Sequence, residues 1–471
     1  MISLRRKPLA DLTAAAAEKK LTKALSALDV TLLGLGVIIG TGIFVLTGIG
    51  AANYAGPGLM LSFVLAAVTC AFVCLAYAEL VAMLPVSGSA YTYTYASLGE
   101  FFGWWVGWGL VLECSVGASA VAGGWSAYLV GILHAAGIDL PKALTAVPYE
   151  GGIVNLPAML VVLFVTGLLV LGIRESARVN RILVLIKVGT IFLFLFLAAP
   201  HVDPINWEPF LPYGWQGVAA GTGILFFAYL GVDSIATAAE ETKNPKVDMP
   251  VGIIASLLIC TVLYIAVSIV MTGVVPYQQL DTAAPASYVL EYVGMRAGSA
   301  IVGTGALCGL STVLLVMIYA QTRAFYAMSR DGLIPRSLCR IHKKFHTPHI
   351  ITMIVGVVVS LIAGFTPIHI VAEMCSAGTL FAFMCSALGV MVLRRVYPDV
   401  KRDFRCPAVY VVAPLAIIFC LFVFSQLSAH TIELFVGWSV LGFLVYMGYG
   451  RKHSVLLNGN REATESLQEA Q

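Results

Sequence analysis

The sequence predicts an all-α membrane protein with twelve spanning helices, and three observations carry that expectation. Hydrophobic residues fill 59% of the 471 positions and charged residues only 11%, against about 25% charged in soluble domains. Twelve stretches approach or exceed the roughly 20 apolar residues that a helix needs to cross a hydrocarbon core of about 30 Å. Lys and Arg gather on one side of the connections between those stretches. One large bundle follows rather than a string of soluble domains. The first 27 residues are basic and mixed, so no cleavable leader is expected.

In chain order the spans are 28–50, 57–83, 99–133, 156–173, 179–199, 215–239, 249–274, 298–327, 348–365, 368–394, 407–425 and 430–449. The third and eighth are long enough to tilt or to extend past the membrane. Six Lys and Arg precede span 1, and further groups follow spans 4, 6, 8, 10 and 12. With the N-terminus inside, 25 of the 28 lie on the inner side. Lys142 and Arg296 fall outside, and Lys187 falls within a span. A wrong span count would scramble this asymmetry, so both termini are expected in the cytoplasm of a cell whose inner membrane holds the protein. The uncharged inner segment 84–98, LPVSGSAYTYTYASL, is too short to span. It either re-enters the membrane, packs on the bundle, or forms a polar loop. The ten cysteines lie in apolar segments or inner connections, which argues against a disulfide framework.

Span 1 contains GLGVIIGTGIF, with glycine at 34, 36, 40 and 42. Glycine weakens a helix by roughly 1 kcal/mol against alanine, and lipid offers no partner for a freed backbone group. Span 6 carries a second interruption, FAYLGVD, with Gly231 and the ionisable Asp233. Interrupted helices at matching positions of two halves point to a transporter site on inverted repeats. Span 6 starts the second repeat five places after span 1, an odd offset, so the two run antiparallel. Freed amides at a half-helix N-terminus suit a carboxylate, and freed carbonyls suit an ammonium. A zwitterionic amino acid presents both. Close packing through small residues such as Gly36 and Gly40 is the competing explanation for the glycines taken alone.

Other chemistries find little support. GLGVIIG resembles a dinucleotide fingerprint but lies in a spanning segment with no preceding strand. There is no GxxxxGK[ST] phosphate loop, and the histidines of HKKFHTPH lack a Cys or acidic partner for a metal site. No cofactor and no nucleic-acid partner are expected, and no nucleophile–base set suggests an enzyme.

Four motifs carry a resemblance: GLGVIIGTGIFVLTG, LPVSGSAYTYTYASLGEFFGWWVGW, FFAYLGVDSIATAAEETKNP and QTRAFYAMSRDGLIP. They resemble the amino acid–polyamine–organocation superfamily, in its cationic-amino-acid-transporter-like branch of the bacterial proton-coupled type, over about residues 25–450. The resemblance implies a LeuT-type fold. It implies repeats at 28–199 and 215–394, two further helices at 407–449, and cytoplasmic segments at 1–27 and 452–471. It places the amides of Thr41, Gly42 and Ile43 at the substrate carboxylate and the carbonyls of Ile38 and Ile39 near its amine. The carbonyls of Phe227, Ala228 and Leu230 would complete the amine site, the Phe227 ring would gate it, and Met317 would border the side-chain pocket. A lysine at the position of Lys187 resembles a proton carrier that replaces a sodium site, whereas the residues alone allow a snorkelling lysine. For Glu113 and Asp233, proton transfer and structural hydrogen bonding stay open, and Glu373 is expected near the outer surface.

The expected function is proton-coupled symport of small neutral L-amino acids by alternating access, with the monomer as the working unit. Cationic amino acid transport and proton-independent exchange are the transporter alternatives. An amino acid sensor is the alternative of another class.

Overall fold

A computed structural model describes residues 5–8, 24–84, 90–172, 177–232, 234–400 and 402–457. Among these residues all regular structure is helical, apart from one isolated bridge between Leu25 and Thr242. The longer helices are α1 (Ala27–Ile38), α2 (Leu59–Met83), α3 (Glu100–Ala135), α4 (Leu156–Val170), α5 (Ala177–Ala198) and α6 (Gly214–Leu225). They continue as α7 (Pro245–Val274), α8 (Arg296–Arg330), α9 (His349–Phe365), α10 (Ile368–Val396), α11 (Val409–Ser425) and α12 (Ala429–Val445). Among the described residues, seven helical segments are long and apolar enough to cross a membrane, and α1, α4, α9 and α11 are shorter apolar helices. The long third and eighth elements are present, at 36 and 35 residues.

Local chemistry sets several helix starts. Ser26 and Asp29 form a reciprocal capping box at α1, while Asn155 and Ser428 cap α4 and α12 with their side chains. Each satisfies an amide that has no carbonyl one turn earlier. The described part of segment 84–98 packs on the bundle. Ala90–Ser97 is a short helix against α3 and α10, with Tyr91, Tyr93 and Tyr95 buried.

Packing between helices follows a repeating scheme. Helix α2 packs on α7, α3 on α8, and α4 on α9. Helix α1 packs on α5 and α7, while α6 packs on α10 and α2. Helix α5 packs on α8 and α7, while α10 packs on α3 and α2. Each of these pairings maps onto another, or onto itself, when a helix is exchanged for the one five places along.

Polar ties hold the two ends. The amides of Ala24 and Leu25 donate to Glu241 O, and Lys243 N donates to Leu25 O, which joins the start of α1 to the stretch after α6. At the C-terminal end of α10, Arg394 holds the Glu79 carboxylate with two hydrogen bonds of 2.9 and 2.6 Å, and Arg402 adds an ion pair at 3.2 Å. Burial and then the Glu79 charge push the neighbouring Cys406 thiol up to about 11, so it stays protonated. The first turns of α10, at its other end, carry Glu373. Its carboxylate is buried and accepts from Ser428, Thr431 and Tyr54, because it anchors the capped start of α12.

Candidate functional site

Helix α1 stops at Ile38, and Ile39 is extended at φ −73° and ψ 101°. The helix resumes as a wide π-turn over Gly42–Leu46. In the second half, α6 tightens to a 3₁₀ turn at Phe226–Tyr229, and Leu230 is then extended at φ −63° and ψ 151°. Gly231 follows with φ +96°, a backbone that L side chains rarely adopt. A Cβ there would also overlap the Val37 side chain. The two breaks expected from the glycines are thus both present, and they touch. A Cβ on Gly42 would overlap the Cα and Cβ of Ala228, so only glycine lets the two backbones approach this closely.

Tertiary partners meet the groups that the breaks release. Lys187 of α5 is 1% exposed, and its Nζ donates to Gly36 O at 2.6 Å. Its stem runs beside Gly309 of α8. The ammonium therefore turns inward to the last turn of α1 instead of snorkelling to the surface, and a cation there complements the negative end of a helix. Tyr264 of α7 lies 2.9 Å from both Ile38 O and Ala228 O. One hydroxyl carries one proton, so it satisfies one carbonyl at a time. Tyr128 of α3 donates to Phe44 O at 2.6 Å.

Most of the sequence-predicted positions converge. Ile38, Ile39, Thr41, Gly42, Ile43, Phe227, Ala228 and Leu230 are all buried around the crossing of the breaks. Thr41 Oγ1 is buried and has no hydrogen-bond partner among the described residues. Such a hydroxyl costs about 1–3 kcal/mol, and a carboxylate would relieve it. Helix α8 reaches the break through Val313, which meets Gly40, and Met317 lies one turn further on against Gly117 of α3. Glu113 is buried between α3 and α10, where Cys375 Sγ donates to its backbone oxygen. Asp233 lies outside the described residues.

Sequence reasoning did not single out Tyr264. A buried tyrosine hydroxyl needs a partner, and that much was legible in ICTVLYIAVS. Its partners lie 226 and 36 residues away along the chain, so periodicity could not find them.

An all-helical apolar bundle in which two broken helices meet at a buried backbone site defines a membrane transporter. The chain belongs to the amino acid permease family, whose model matches residues 25–449. This places it in the amino acid–polyamine–organocation superfamily, as an amino acid transporter and not an enzyme. It is 48% identical to a branched-chain amino acid permease of Bacillus subtilis (strain 168), over 96% of this chain and 98% of the relative. It is 45% identical to a methylthioribose transporter of the same organism, over 96% and 98%. A vacuolar cationic amino acid transporter of Arabidopsis thaliana is 39% identical over 81% of this chain and 64% of its own length.

Proposed function

We propose that the protein is a proton-coupled symporter of neutral aliphatic L-amino acids, working by alternating access on a LeuT-type scaffold. The observation that carries this reading is the contact of the two helix breaks at Gly42 and Ala228, with the unpartnered Thr41 hydroxyl beside it. The exchange of packing partners between α1–α5 and α6–α10 supports twelve crossings, with repeats at 28–199 and 215–394 and two added helices at 407–449. The asymmetry of Lys and Arg supports cytoplasmic termini, and the bacterial relatives support the plasma membrane. The proposed unit is a monomer.

In this reading the amides of Thr41, Gly42 and Ile43 take the substrate carboxylate at the start of the resumed helix. The substrate ammonium takes carbonyls among Ile38, Ile39, Phe227, Ala228 and Leu230. Tyr264 stands in for it on two of them, and moves its single proton to the carbonyl that the ammonium leaves. Phe227 closes over the ligand, and helices 1, 2, 6 and 7 rock against the rest. A protonated Lys187 holds the end of α1 through Gly36 O. Loss of its proton weakens that hold, which couples proton release to movement of α1. Glu113 and Asp233 remain structural or relay groups in this scheme.

Tyr264→Phe is expected to leave one carbonyl without its donor, a cost of about 1–3 kcal/mol. Uptake should fall by about tenfold while the protein stays folded and monodisperse, as read by liposome transport and gel filtration. Wild-type uptake by this variant would reduce the hydroxyl to a packing role.

The side-chain region is bordered by Val313 and Met317, both apolar, and the branched-chain permease relative favours neutral substrates. Labelled alanine uptake into proteoliposomes should be displaced well by valine, leucine and unlabelled alanine, and poorly by arginine or lysine. Better displacement by a cationic amino acid would favour the reading suggested by the Arabidopsis relative, and displacement by methylthioribose the one suggested by the second Bacillus relative. Counterflow with no pH requirement would favour exchange over symport. Binding without any uptake would favour a sensor.

A further inference from the structure

We infer that the connection between α8 and α9 binds an anionic glycerophospholipid from the leaflet on the N-terminal side of the bundle. The inference rests on the membrane setting of the chain and not on its substrate or coupling ion. Residues 336–350 hold Arg336, Arg340, Lys343 and Lys344 with three histidines and no Asp or Glu. Arg340, Lys343 and Lys344 are exposed, and none of them has a carboxylate in ion-pair range among the described residues. Together with Ile341, His342, His349 and Ile350 they line an open, mainly apolar hollow of about 470 Å³. A phosphate group is the natural partner of the three exposed cations beside it.

The cavity is held in shape by the fold. Thr347 Oγ1 donates to Val170 O at 2.8 Å, which pins the connection to the end of α4. His342 N donates to Thr347 O at 2.8 Å, and His342 Nδ1 accepts from the amides of Lys344 and Phe345 at 3.1 and 3.3 Å. With Nδ1 occupied as an acceptor, Nε2 is the nitrogen that carries a proton and can donate. The His342 ring stacks on Phe345 and meets His349 edge-on, each at 4.8 Å between centroids.

An apolar track leads away from this basic end. Met353, Ile354, Val357, Val358 and Leu361 are exposed along one stripe of α9, beginning one turn beyond His349. Ile341 is exposed at the cavity itself. A headgroup phosphate on the exposed cations and acyl chains along the hollow and the stripe satisfy both features with one molecule. A soluble anion would use only the first. Basic pockets at the ends of membrane helices are a recognised setting for acidic headgroups.

The test is lipid retention by the full chain, purified in a neutral detergent and read by native mass spectrometry. Phosphatidylglycerol should be retained about tenfold more readily than phosphatidylcholine. The combined change Arg340→Gln, Lys343→Gln and Lys344→Gln should remove most of that preference. Arg451→Gln with Lys452→Gln, exposed at the same end but outside the cavity, should keep it. If the triple variant does not fold, Lys343→Glu alone should weaken the preference several-fold. Equal retention of both lipids overturns the inference, as does an unchanged preference in the cavity variants. Displacement of phosphatidylglycerol by millimolar inorganic phosphate also overturns it, by assigning the cavity to a soluble anion.

Discussion

Lys187→Met is expected to abolish uptake driven by a pH gradient while substrate binding in detergent survives. The lysine is buried, and its ammonium donates to Gly36 O at the end of α1. Methionine keeps the length and apolar stem but cannot carry a proton. Removing a buried charge relieves its desolvation cost, offset here by the loss of a donor to Gly36 O. The melting temperature should therefore move little, whereas gradient-driven uptake should fall by at least about tenfold. A fluorescence melting curve and proteoliposome uptake at two external pH values separate the two effects. Unchanged pH-driven uptake would remove Lys187 from the coupling mechanism, and a collapsed melting curve with lost binding would make it a structural residue.

The second large effect is expected at Gly42. Its backbone faces the backbone of Ala228, so the Cβ of Gly42→Ala has no flexible side chain to push aside. The breaks must separate, at a cost of about 1–3 kcal/mol for overpacking, and the amide and carbonyl groups lose their common focus. Transport should fall by well over an order of magnitude, and the affinity for substrate in detergent should fall with it. Gly437→Ala in α12 is the control, because a Cβ there meets nothing. That change should leave transport intact and be neutral or stabilising by up to about 1 kcal/mol. Equal behaviour of the two variants would show that the close approach at Gly42 does not matter.

These two residues also measure what the sequence made legible. The glycines of GLGVIIGTGIF and FAYLGVD mark the broken helices because glycine in a membrane span is locally anomalous. The span pattern and the Lys and Arg asymmetry are likewise local properties, and they stand out from composition alone. Burial of the anticipated backbone site followed from those breaks. Tyr264 was missed because one tyrosine among apolar residues gives no sign of which carbonyl it meets. The partners of Glu373 were not legible either, because a carboxylate at the end of a span ordinarily reaches water. Here three side-chain hydroxyls and the amide of Ser428 hold it inside.

By itself the sequence determined the class of protein, the run of apolar segments, the two breaks and the chemical kind of ligand that a broken helix can hold. The tertiary structure decided which groups answer the freed backbone. Lys187 meets Gly36 across 151 residues of chain, and Tyr264 meets Ile38 across 226. Hydrophobic periodicity and glycine content report on a residue's immediate neighbours, whereas a hydrogen bond depends on direction and distance between groups that only packing brings together.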